Sequence, residues 1–158
     1  FITVALFGFV ILIIVLIVTV TSQRLSPLAW GWFSSVHAPD GVALAGYDSV
    51  AYHTVNDVVE GKADHRATWK DVEWRFATEY NRALFEKNPE RYAPQFSGNC
   101  AHAVSQGLTK KADPQVWFVK DDKLYVFAFE EAKTAFINKI PTGVLEESHE
   151  SWARRTIQ

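Results

Sequence analysis

The first 22 residues contain no charged side chain; 17 of them are hydrophobic, the others being Thr3, Gly8, Thr19, Thr21 and Ser22. A helix of that length spans about 33 Å at roughly 1.5 Å per residue, against a hydrocarbon core of about 30 Å. In lipid the backbone must satisfy its own hydrogen bonds, which a helix does. The run exceeds the apolar region of a secretory signal, about 7 to 15 residues. Thr19-Val20-Thr21-Ser22-Gln23 also lacks an Ala-x-Ala cleavage pattern. Residues 1–22 therefore read as a retained, single-pass transmembrane helix. Ala5 and Gly8, small residues three apart, would let a second helix approach it closely.

Between residues 23 and 61 the only lysine or arginine is Arg24, facing Asp40, Asp48, Asp57 and Glu60. Loops that stay in the cytoplasm are enriched in Lys and Arg near the membrane, and this flank is not. The expected location is a bacterial inner membrane with the folded domain on the periplasmic side. The chain opens with Phe1 and has no Met, so a cytoplasmic segment is expected before it. Ser26-Pro27 reads as a helix N-cap with proline at the first helical position. Trp30, Trp32 and Phe33 follow, an aromatic collar suited to the headgroup layer or to a neighbouring subunit. Residues 23–40 are thus a juxtamembrane aromatic linker, and 41–158 the domain.

All 16 basic and 18 acidic residues lie in the remaining 136 positions (158 − 22), for a net charge of -2. Such a balance excludes the basic stripe that displaces counterions from nucleic-acid phosphates. One cysteine excludes an internal disulfide framework and any multi-thiolate zinc or iron–sulfur site. No internal repeat, low-complexity stretch or like-charge run stands out.

Alternation from His65 to Trp69 and from Val72 to Phe76 predicts two strands joined at Lys70-Asp71. A second pair is expected over residues 116–119 and 124–129. Thr78 should cap a helix that Asn88-Pro89 stops, with Pro89 opening a short turn. Further helices are expected at 101–106, ended by Gly107, at 130–139, and from Val144 to about Arg155. The fold class is α+β: a small antiparallel sheet from two hairpins with short helices, preceded by one N-terminal transmembrane helix.

Gly46-Tyr47-Asp48-Ser49-Val50-Ala51-Tyr52-His53 resembles the opening string of bacterial YHS domain proteins. The resemblance continues through Phe76-Ala77-Thr78, Asn88-Pro89-Glu90-Arg91-Tyr92 and Gly98-Asn99-Cys100-Ala101-His102-Ala103-Val104-Ser105-Gln106-Gly107, and ends near Trp152. It implies a small module of a kind whose cysteine-rich members are thought to bind heavy metals. Those members carry a cysteine after the first hairpin, where this chain has Ala77.

Cys100 and His102 form a Cys-x-His pair, soft enough for Cu or Zn, with His53 or His65 as a third ligand. On a helix residues i and i+2 lie about 200° apart, so a shared ion requires Cys100 to precede the first turn. The alternative is a buried structural thiol with His102 as a polar neighbour. His53 is either a ligand or hydrogen-bond partner, or a plain strand residue. Asp48 is expected to bond nearby amides in a turn, Tyr52 to pack in the core with its hydroxyl satisfied, and Asp121-Asp122 to make a turn. Glu146, Glu147, His149 and Glu150 read as a hydrated helix face anchored by Trp152. Phosphate loops, dinucleotide fingerprints and haem or metalloprotease motifs are all missing from the string. The expectation is a non-catalytic accessory or scaffolding subunit of a larger membrane complex, respiratory or photosynthetic, contacting other subunits and lipid but no nucleic acid. The alternative is a membrane-tethered copper- or zinc-binding protein.

Overall fold

Ahead of the domain, residues 9–15 and 17 are helical. The elements that follow, in chain order, are β1 (Ser26–Pro27), α1 (Ala51–Thr54), β2 (Lys62–Trp69), β3 (Val72–Phe76), α2 (Glu79–Lys87) and α3 (Pro89–Tyr92). Then come α4 (Ala101–Ser105), β4 (Leu108–Thr109), β5 (Asp113–Lys120), β6 (Lys123–Phe127), α5 (Glu130–Asn138) and α6 (Val144–Arg155). The computed structural model describes residues 9–15, 17, 26–27, 36–38 and 40–155.

Both hairpins form where the alternation places them. Lys70 and Asp71 take φ of 52° and 61°, and Asp121 and Asp122 take 50° and 58°. Two left-handed residues in a two-residue loop match the twist of the flanking strands. Val72, Trp74 and Phe76 point into the core and Glu73 and Arg75 outward, as the period of two requires. The helix signals hold as well. Thr78 Oγ1 accepts from the Asn81 amide at 3.1 Å, and Asn88 Oδ1 accepts from the Arg91 amide at 3.3 Å.

The hairpins do not merge into the one expected sheet. Each is its own two-stranded antiparallel ladder, β2–β3 and β5–β6, and a third minimal ladder pairs β1 with β4. Among the described residues only single-residue bridges extend the hairpins, Val42 beside Glu73 and Cys100 beside Val126. Ser26-Pro27 is likewise not a helix start: Ser26 pairs with Thr109 and Pro27 with Leu108. Proline is compatible with so short a strand, and it biases the residue before it toward extended backbone.

The structure also overturns the expectation of no repeat. Lys62 pairs with Phe76 and Asp113 with Phe127; after a bulge, Arg66 pairs with Arg75 and Trp117 with Val126. The second set of partners sits 51 positions after the first throughout (113 − 62, 127 − 76, 117 − 66). Each hairpin leads into a nine-residue helix, α2 or α5. Each is preceded by a short helix, α1 or α4, and before that by a left-handed turn, Ala43–Gly46 or Gln95–Gly98. In those turns Leu44 and Ala45 take φ of 49° and 52°, Phe96 and Ser97 take 55° and 54°, and a positive-φ glycine follows. The amide of Tyr47 donates to Leu44 O at 3.0 Å and that of Asn99 to Phe96 O at 3.1 Å. The domain is therefore two copies of one unit: left-handed turn, short helix, bulged hairpin, helix.

The copies share one continuous core. Trp74, Phe76 and Phe85 of the first and Tyr125, Phe127 and Phe136 of the second are all buried. Phe85 lies 4.8 Å from Trp74 and 5.0 Å from Phe76, while Phe136 lies 5.4 Å from Phe127 and 6.0 Å from Tyr125. The same knob thus closes each hairpin, from equivalent places on α2 and α5. After the second copy α6 packs back with Val144 and Ser148 buried, and His149 and Trp152 meet Phe96 at 5.0 Å and 5.8 Å.

Candidate functional site

Asp48 begins as a local turn residue and becomes much more. Its Oδ1 accepts from the amides of Val50 at 2.9 Å and Ala51 at 3.3 Å, as expected of a turn aspartate. Its Oδ2 accepts from the Ala77 amide at 2.8 Å and from Asn81 Nδ2 at 2.7 Å. One fully buried carboxylate therefore joins the start of α1 to the end of β3 and to α2. With its lone pairs spent on structural donors, it is a tie rather than a general base. Tyr52 is buried, and its hydroxyl donates to Pro114 O at 2.9 Å; burial raises the phenol above its usual range.

His53 sits on α1, not on a strand. Its side chain is 3% exposed, and Nδ1 lies 3.3 Å from Asp122 Oδ1, at the tip of the second hairpin. The contact is electrostatic rather than a well-directed hydrogen bond, and Nε2 has no partner among the described residues. Arg91 Nε donates to the other Asp122 oxygen at 2.8 Å, and the Tyr92 ring stands edge-on to the imidazole at 5.5 Å. Burial lowers the His53 pKa against the opposing pull of Asp122, and Arg91 lowers it further. The Asp121-Asp122 turn is therefore also a clamp between the copies.

Cys100 is buried and occupies in the second copy the place of Asp48 in the first. The Asp48 amide donates to Val59 O at 2.8 Å and the Cys100 amide to Lys110 O at 2.9 Å. Cys100 precedes α4 as its N-cap, and His102 lies inside that helix with Nε2 3.0 Å from Gln106 Nε2. Burial, then Lys139, lowers the His102 pKa. Among the described residues no three His, Cys, Asp or Glu side chains are grouped to hold an ion. Cys100, His102 and His53 are thus not brought together as a ligand set, so a copper or zinc centre on these three does not fit the site. The physical reason is that His53 lies against Asp122 across the copies, while Cys100 is buried where its backbone pairs with Val126.

On the C-terminal face Glu146, Glu147 and Glu150 are exposed, while His149 is half-buried. His149 Nε2 lies 3.1 Å from the Tyr125 hydroxyl, and burial lowers the imidazole while raising Tyr125 to about 12. Three residues that carry no motif, His37, Arg75 and Lys111, line one cleft of about 250 Å³. They lie far apart in sequence, so no spacing rule could have joined them.

The described part of the N-terminal run, residues 9–15 and 17, is helical. Phe9 to Val15 and Ile17 are between 39% and 67% exposed. Among the described residues no helix is long and apolar enough to cross a membrane. The rest of residues 1–22, and Ala5, Gly8, Trp30, Trp32 and Phe33 with it, lie outside the described residues. Compared with protein-family models, curated proteins and solved structures, the chain matches none.

Proposed function

We propose that the chain is a non-catalytic, single-pass accessory subunit of a larger membrane complex, of respiratory or photosynthetic type. In this reading it holds a YHS-like domain at the periplasmic face of a bacterial inner membrane. One observation carries it: residues 9–15 and 17 are helical, and their side chains are all apolar and exposed. A contiguous apolar surface of that kind is costly in water and is stabilised by lipid or a partner helix. The domain supports the same reading, because Asp48, its most buried carboxylate, is consumed by four structural hydrogen bonds.

The test is extraction from the native membrane in mild detergent, followed by native mass measurement and peptide identification. A constant set of companions at fixed stoichiometry is the expected result. Migration of the chain alone would overturn the accessory-subunit reading. Recovery in the soluble fraction without detergent would overturn the anchor.

A further inference from the structure

The duplicated frame shows which charges the fold does not require. Position 75 on β3 holds an arginine, while its equivalent on β6 is Val126 (75 + 51), in the same hairpin register. Lys111 bridges Asn99 just as Glu60 bridges Tyr47 (60 + 51), so an ammonium stands where the first copy has a carboxylate. Both cations face the cleft between the copies, with His37. We propose that this cleft binds a small oxyanion, a carboxylate or a phosphate, between Arg75, Lys111 and the His37 imidazole.

Its volume, about 250 Å³, suits a small solute rather than a chain segment. Leu44 and Ala45 of the first left-handed turn wall one side, and Gly98 of the second turn lies on the other. Arg75 Nε donates to Glu73 Oε1 at 2.7 Å, which orients the guanidinium and leaves its terminal nitrogens for a second acceptor. Lys111 is exposed on the rim, with no carboxylate within ion-pair distance among the described residues. His37 Nε2 is buried with no hydrogen-bond partner among the described residues. A buried polar atom in that state is costly unless something bonds to it. Burial and the nearby Lys111 favour neutral imidazole, whose Nε2–H can donate to an anion. Asp40 lines the same cleft and moderates the field, so binding should be selective for small anions rather than tight.

Purified full-length protein in detergent micelles is titrated at constant ionic strength with inorganic phosphate and, separately, with succinate. Heat release and the His37 ring resonances are read together. Saturable one-site binding of either anion, with a shift at His37, is the expected result; which anion binds tells phosphate from carboxylate chemistry. Lys111→Glu, at an exposed position that should leave folding intact, should weaken binding roughly tenfold or more. Lys123→Glu, on an exposed residue outside the cleft, should leave it unchanged. Non-saturable heats with both anions, or equal weakening by the two variants, would overturn the proposal.

Discussion

The two copies share a backbone and differ in how they hold it together. In the first, Asp48 binds the Val50 and Ala51 amides at the start of α1, the Ala77 amide and Asn81, while Thr78 caps α2. In the second, Cys100 stands in the place of Asp48, and Phe129 precedes α5 with no side-chain cap. The second copy relies on packing instead: α6 lies against it, through Phe96, Tyr125, His149 and Trp152. One frame can therefore be secured by directed hydrogen bonds or by apolar burial. Register and the Phe85 or Phe136 knob are common to both.

The comparison breaks most visibly at Asp48. Asp48→Ala strands several buried donors, each worth about 1.5–3 kcal/mol when bonded to a charge, so we expect a loss of about 3 kcal/mol or more. Cys100→Ala removes one small buried atom and should cost about 1 kcal/mol. Chemical denaturation of both variants measures the difference, and equal losses would show that the copies are not secured differently.

Acidification comes next. His53, His102 and His149 all have folded-state pKa values below 6.5, with burial the leading cause. A group depressed in this way binds its proton better in the unfolded chain. Its contribution is complete above pH 6.5 and is lost as pH falls from there toward the depressed value. The thermal midpoint should therefore drop between pH 7.5 and about pH 5. His53→Gln should shrink that drop more than His65→Gln, because His53 is the deeply buried ring between the copies. An unchanged drop in His53→Gln would remove the inter-copy clamp from the explanation.

The smallest effect lies at the helix starts. Thr78→Ala should cost about 1 kcal/mol, the usual value of a lost cap. Phe129→Thr, which installs in the second copy the cap of the first, should stabilise by about 0.5 kcal/mol after its half-exposed ring is lost. Melting curves resolve both, and a clear loss in Phe129→Thr would mean that this ring packs more usefully than its exposure suggests.

Much of this domain was legible along the chain because its signals are short-ranged. The Lys70-Asp71 hairpin, the Thr78 cap, the Asn88-Pro89 stop and the last helix all depend on residues within four positions of one another. The duplication was not legible, because few letters repeat: Gly46 against Gly98, Asp71 against Asp122, Phe76-Ala77 against Phe127-Ala128, Glu79 against Glu130 and Phe85 against Phe136 among them. The left-handed turns escaped for a different reason. Leu44, Ala45, Phe96 and Ser97 adopt positive φ, which such residues avoid on their own and accept only when their surroundings impose it.

By itself, then, the amino-acid sequence determined the apolar N-terminal run, the two hairpins and where the helices start and stop. These follow from local periodicity, capping and turn chemistry. Tertiary structure alone decided that the hairpins stay separate ladders, that Asp48 reaches Ala77 and Asn81, and that His53 meets Asp122. It also placed Arg75 and Lys111 on one cleft. Those contacts join residues tens of positions apart, and only burial of the shared core brings them within reach.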